Sequence, residues 1–244
     1  MTFTYKYPRP SFTVDVVIFG VEPQLGWDLQ VLLIQRAAET GPEAAFPGFW
    51  AIPGGFVEVD DEGNQGESLE EAAHRELAEE TGVKVEYLEQ LYTFGKPKRD
   101  PRGRVISVAY FALVQSKDHV AEANSDASDA RWFSIDDAMK LTLAFDHNEI
   151  LKKALQRLQA KIRYAPIGFS FLPPKFTIAE LCALYESILR RRLDVSNFRK
   201  KILATGVLVE TGQRQQNNNR PPMLYRFDKR AYNHAVENGF NFEI

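Results

Sequence analysis

The run Arg75-Glu76-Leu77-Ala78-Glu79-Glu80-Thr81-Gly82-Val83 constrains this chain more than any other stretch. It follows the glycine pair Gly54-Gly55 and packs three carboxylates into five residues. On a helix, Glu76 and Glu80 stand one turn apart on one face, with Glu79 beside them. Like charges that close repel, so such a helix needs cationic partners or a bound cation. A divalent ion such as Mg²⁺ takes oxygen ligands and commonly bridges carboxylates to substrate phosphates. The same run also fits a solvated amphipathic helix laced with salt bridges, Arg75 pairing with Glu71 or Glu79 one turn away.

The spacing predicts this helix over residues 67–82. Leu69, Ala72, Ala73, Leu77 and Ala78 recur with helical period, and Gly82 supplies the left-handed stop. Residues 12–19 and 29–35 read as strands around a turn containing Pro23 and Gly26, and 88–94, 105–114 and 130–134 as further strands. The N-terminal part is therefore expected to be a mixed α/β domain over residues 1–145.

Charge divides the chain. Residues 1–155 hold 15 Lys and Arg against 26 Asp and Glu, whereas residues 156–244 hold 15 against 7. The net charge of −3 conceals this polarity, which points to two domains with different partners, the basic one suited to a polyanion. No apolar run approaches the roughly 20 residues of a membrane span. Met1 to Pro10 lack a signal-peptide core, and the single cysteine, Cys182, reads as buried filler. A cytoplasmic protein is the expectation.

The basic part has its own element order. Residues 146–165 read as a connector or dimer-forming helix carrying Ile150, Leu151, Leu155, Leu158 and Ile162. Asp146 is expected to cap it and His147 to be structural. Residues 165–174 read as a linker or packed arm. Thr177 and Glu180 form a capping box for a helix through Leu181, Leu184, Tyr185, Ile188 and Leu189. Asp194 or Ser196 opens a second helix with Asn197, Arg199, Lys200 and Lys201 outside and Phe198, Ile202 and Leu203 inside; Gly206 ends it. Residues 207–211 and 223–227 then pair around a polar loop with Arg214 and Arg220. Helix, turn, basic helix and basic hairpin is the order of a winged helix-turn-helix, here over residues 166–244. The second helix would present Ser196, Asn197, Arg199 and Lys200 to the major groove. Arg214 and Arg220 on the wing would meet phosphate or minor groove, and Arg191 is a further DNA-binding candidate. A small helical domain with a solvated basic face fits the same residues.

Gly55, Glu67 and the run Arg75-Glu76-Leu77-x-Glu79-Glu80-x-Gly82-Val83 resemble the Nudix box, whose helical half matches at every defined position. The loop half departs: eleven residues separate Gly55 from Glu67, more than in the family, with 59–65 resembling an acidic insertion. The resemblance implies an α/β/α sandwich, Mg²⁺ or Mn²⁺ held by Gly55, Glu76, Glu79 and Glu80, and Glu79 or Glu80 as general base in diphosphate hydrolysis. Arg36 looks like the basic end of the family's second strand. Arg99 and Arg102, in a basic loop, could reach a diphosphate, since arginine's planar fork suits phosphate oxygens; an ordinary solvated hairpin turn fits that loop equally.

Both halves together resemble Nudix-related transcriptional regulators, the NrtR group of repressors of NAD metabolism. Leu143-Ala144-Phe145-Asp146-His147, Phe176-Thr177-x-x-Glu180-Leu181, Asn197-Phe198-Arg199-Lys200-Lys201 and Arg220-Pro221-Pro222-x-Leu224-Tyr225-Arg226 carry that resemblance. It implies a homodimer on a palindromic double-stranded DNA operator, with ADP-ribose in the Nudix pocket altering DNA binding. An active pyrophosphohydrolase of ADP-ribose or a related nucleoside diphosphate derivative and a sugar-responsive regulator of the same architecture are the alternative expectations.

Overall fold

The computed structural model describes residues 6–22, 26–38, 45–59, 66–85, 87–115, 127–216 and 221–238. The chain divides into two compact units, one of Met1–Gly20 with Gln30–Leu155, the other of Val21–Leu29 with Gln156–Ile244.

The first unit is built on a seven-stranded sheet. Its strands are β1 (Ser11–Glu22), β2 (Asp28–Arg36), β3 (Trp50–Ala51), β4 (Gly54–Phe56), β5 (Tyr87–Phe94), β6 (Val105–Gln115) and β7 (Ala127–Ser134). Their order is β3-β2-β1-β6-β5, with β4 paired to β1 and β7 to β2. On one face, Val14, Val16 and Ile18 of β1 and Val108, Tyr110, Ala112 and Val114 of β6 pack with Ala72, Ala73 and Leu77 of helix α1 (Leu69–Thr81). The alternate residues Val17, Phe19, Ala109, Phe111 and Leu113 are just as buried, so the central strands are covered on both faces.

Helix α1 starts two residues later than its periodicity suggests. Ser68 is the N-cap and closes a capping box with Glu71, which leaves Glu67 outside the helix. Gly82 ends it in the left-handed region at φ 66°. Two short strands, β3 and β4, and the one-turn helix α2 (Ile135–Ala138) were not legible from pattern, being too short to show a period. Pro23 and residues 60–65 of the acidic insertion lie outside the described residues.

Helix α3 (His147–Lys161) runs without a break from Leu155 of the first unit into Gln156 of the second. Beyond it, 166–171 form a 3₁₀ helix where a linker or arm was expected, and its Phe169 stacks on Phe227 at 4.3 Å. Then come α4 (Ile178–Leu189), α5 (Val195–Ala204), β8 (Leu208–Arg214), β9 (Met223–Phe227) and α6 (Lys229–Glu237). Thr177 and Glu180 form the expected capping box on α4, and Asp194, rather than Ser196, caps α5. Tyr185 of α4 meets Phe198 of α5 edge-on at 5.2 Å, fixing the two helices together. Phe176 exchanges backbone hydrogen bonds with Tyr225, joining the entry of α4 to the hairpin β8–β9. Within this unit the Leu29 N–H also donates to Ser187 Oγ of α4 at 2.9 Å. Leu203 corrects the expected pattern: it is exposed, and Phe198 and Ile202 alone among the α5 side chains are buried. No described helix is long and apolar enough to cross a membrane.

Candidate functional site

Three carboxylates equivalent in the sequence are separated by the fold. Glu80 is buried, and its Oε2 accepts the Gly54 N–H at 2.7 Å. Burial raises its carboxyl to about 8, helped by Glu76 and Asp15 and opposed by the Gly54 N–H and Arg36. Glu79, by contrast, has a side chain 53% exposed. Glu76 is intermediate; burial raises its carboxyl against the pull of Arg75. One guanidinium nitrogen, Arg75 Nη1, binds Glu76 Oε1 at 2.9 Å and Glu79 Oε2 at 3.1 Å. The rest of that guanidinium binds Glu67 and the Phe56 carbonyl. Glu71, an expected partner of Arg75, closes the capping box instead.

Glycine is required at Gly54, where the close neighbour is backbone; at Gly55 the neighbour is the end of the Glu76 side chain. A Cβ on Gly55 would lie 2.1 Å from Glu76 Oε1, and one on Gly54 would lie 2.1 Å from the Val14 carbonyl oxygen. Glu76 and Glu80 therefore lie directly against the backbone of β4. Glu58 and Glu67 hydrogen-bond on either side of the acidic insertion. Among the described residues no group of three or more acidic, His or Cys side chains forms a ready metal cage. The donor set nevertheless suits a hard divalent cation, and Glu76 and Glu79 already converge on one cationic nitrogen.

Beside this lies a buried ion network. Asp15, a carboxylate within the apolar run of β1, accepts from Ser107 Oγ and faces Arg99 Nη2 at 3.4 Å. Burial opposes its charge, but His147, Arg99 and Ser107 outweigh burial and hold its carboxyl below the ordinary range. Arg99 Nε and Nη2 bind the Asp146 carboxylate at 2.6–3.1 Å. The Arg99 side chain is only 4% exposed, so this arginine, expected to reach a diphosphate, is turned inward. Asp146 accepts the Ile150 N–H through its carbonyl, as an N-cap residue does, but its carboxylate serves Arg99. His147 Nδ1 accepts the Ile52 N–H at 2.9 Å, which leaves Nε2 as the nitrogen facing Asp15 at 3.4 Å.

The other two arginines converge. Arg36 lies 5.2 Å and Arg102 lies 5.4 Å from the centre of the Phe145 ring, and Arg102 also covers Phe56 at 5.1 Å. Phe46 packs on Phe145 at 4.8 Å. Arg36 Nε donates to the Ala45 carbonyl at 2.7 Å, while Asp100 holds Arg102 through Nε and Nη2. Sequence reasoning missed Asp15, Phe46, Phe56 and Phe145 as members of this region. The signal available was Asp15 itself, since a charge inside an apolar strand requires a buried partner.

In the second unit, Ser196, Asn197, Arg199 and Lys200 are exposed on α5, and Arg191 is exposed before it. Arg214 is exposed on the wing, its Nη1 donating to the Pro221 carbonyl at 2.9 Å. Arg220 lies outside the described residues. The fold and these two regions define a Nudix-type α/β domain joined in one chain to a winged helix-turn-helix.

Comparison with known proteins agrees. A model of the NUDIX domain matches residues 10–154, and one of the NrtR DNA-binding winged helix domain matches residues 168–227. The chain is 40% identical over 236 residues to the ADPR responsive transcriptional repressor NtrR of Acinetobacter baylyi, covering 97% of this chain and 87% of that one. Shewanella oneidensis NrtR, crystallised with a 27mer DNA, matches with a TM-score of 0.74 at 32% identity, covering 95% of this chain and 97% of the other. The NUDIX domain of the same protein, crystallised with ADP ribose, matches with a TM-score of 0.51 at 36% identity, over 62% of this chain and 90% of the other. The chain belongs to the NUDIX family, among the NrtR-type proteins that join this domain to a winged helix.

Proposed function

We propose that this protein is a cytoplasmic, homodimeric transcriptional repressor whose DNA binding responds to ADP-ribose. Residues 1–145 act as sensor, 146–165 as connector and 166–244 as DNA reader. One observation carries this reading: a single chain combines an arginine–aromatic cluster beside a carboxylate helix with an exposed basic α5. Arg36 and Arg102 offer cationic forks to a diphosphate, and Phe56 and Phe145 offer apolar faces. Arg99 supports the site indirectly, by holding Asp146.

Ser196, Asn197, Arg199 and Lys200 read the operator from α5, while Arg191, Arg214 and Arg220 contact its backbone. Glu76, Glu79, Glu80 and the Gly55 backbone would hold Mg²⁺ or Mn²⁺, which offsets phosphate charge and lowers the pKa of bound water. Retention of all three glutamates favours a second reading that can coexist with the first: hydrolysis of ADP-ribose or a related nucleoside diphosphate derivative, with Glu79 or Glu80 as base.

The test is a titration of the full-length protein with duplex DNA carrying an NAD-pathway operator, at fixed salt, with and without ADP-ribose and Mg²⁺. Specific binding about 10³-fold or more above random DNA is expected, shifted about 5- to 150-fold by the ligand. Replacing Arg199 and Lys200 together by Ala is expected to weaken operator binding about tenfold or more. Equal affinity for operator and random DNA would overturn the regulator reading.

A further inference from the structure

Phe145 stands in a backbone conformation that bulky side chains rarely adopt, with φ 52°. Such a residue persists only where its surroundings over-determine it, and such positions cluster at clamps and switches. Here the surroundings are unusual. Three consecutive side chains are each gripped by a different part of the first unit. The Phe145 ring lies against Arg36, Arg102 and Phe46. The Asp146 carboxylate is bound by Arg99. The His147 ring is held by the Ile52 N–H and faces Asp15. His147 is also the first residue of α3, the helix that continues into the second unit.

The grip on Phe145 is the weakest in kind. A guanidinium over an aromatic face is attracted through the ring quadrupole, whereas a guanidinium on phosphate oxygens makes paired charge-assisted hydrogen bonds. A diphosphate bound by Arg36 and Arg102 would therefore compete with the ring for the position of both cations. Asp146 and His147 have no such competitor, because Arg99 and Asp15 are buried.

We propose that Phe145 is a coupling residue: an anionic diphosphate ligand draws Arg36 and Arg102 off its ring, and relaxation of the left-handed Phe145 resets the first turn of α3. The proposal rests on the ligand-responsive reading above and specifies how the ligand acts. Linkage makes the effect reciprocal, so operator DNA changes ligand affinity by the same factor.

The experiment compares operator affinity of the full chain without ADP-ribose and at saturating ADP-ribose, saturation being established by calorimetry for each variant. Phe145→Ala and Phe145→Gly are expected to bring the ratio of the two affinities to within about twofold of one, and Phe145→Tyr to keep the wild-type ratio. Hydrogen exchange of wild-type amides 147–151 provides a readout without substitution, and faster exchange on adding ADP-ribose is expected. An unchanged affinity ratio in Phe145→Ala, or unchanged exchange in a wild type whose operator binding does respond, overturns the coupling role alone. A wild type whose operator affinity ADP-ribose leaves unchanged overturns the ligand-responsive reading and this proposal together.

Discussion

A group of arginines in the first unit and the basic helix α5 in the second place their cations in opposite ways. In the acidic first unit, Arg75, Arg99 and Arg102 each bind at least one carboxylate of the same unit. In the basic second unit, Arg199, Lys200 and Lys201 stand exposed along one short helix. An arginine already held by protein carboxylates is oriented and partly neutralised, so a ligand must compete for it and can thereby change the structure around it. An exposed lysine or arginine is available to a phosphate at little cost, which suits electrostatic attraction to a polyanion. The same residue types thus suit a sensor in one region and a docking surface in the other.

This contrast breaks first, if it breaks, at Arg99. Arg99→Ala strands Asp15 and Asp146 without their buried cation and is expected to cost about 3–5 kcal/mol in chemical denaturation. Arg199→Ala, on the exposed face of α5, is expected to stay within about 0.5 kcal/mol of wild type. Comparable losses in the two variants would show that burial does not distinguish the two sets of cations.

A smaller effect concerns acid. The folded state holds the Asp15 carboxyl below its ordinary value of 3.8. Its ionised form therefore contributes stability that is in place above the unfolded pKa and is lost as pH falls through the folded one. Asp15→Asn is expected to flatten the acid limb of the stability profile below about pH 4. An acid limb as steep as that of wild type would show that Asp15 does not carry it.

The smallest expected effects sharpen the comparison at its two capping boxes. Thr177→Ala in the second unit removes a buried cap and is expected to cost about 1 kcal/mol by thermal or urea unfolding. Ser68→Ala in the first unit removes an exposed cap, where water can replace the lost acceptor, so a smaller loss is expected. A larger loss at Ser68 would mean that this capping box also positions Glu67 and Arg75.

Much of the fold was legible from local chemistry. The five longer strands, helix α1 with its glycine stop, both helices of the winged helix and the β9 strand follow from period, caps and turn residues acting over a few positions. The short strands β3 and β4 and helix α2 did not, because two to four residues leave too little signal; helix α6 was missed although its nine residues are strongly amphipathic. The carboxylate helix of the site was legible for the same local reason. The roles of the arginines were not, because an arginine's partner is chosen across the chain: Arg99 meets Asp146 at a separation of 47 residues and Asp15 at 84.

The sequence by itself determined the order of elements, the two-part charge, the carboxylate run and the family, since each resides in neighbouring residues and their spacing. Only the tertiary structure separated Glu80 from Glu79, turned Arg99 inward, and placed Arg36 and Arg102 on Phe145. Burial and pairing are properties of the packed chain: desolvation and long-range partners decide a side chain's charge state and availability, and neither is written in its neighbours along the sequence.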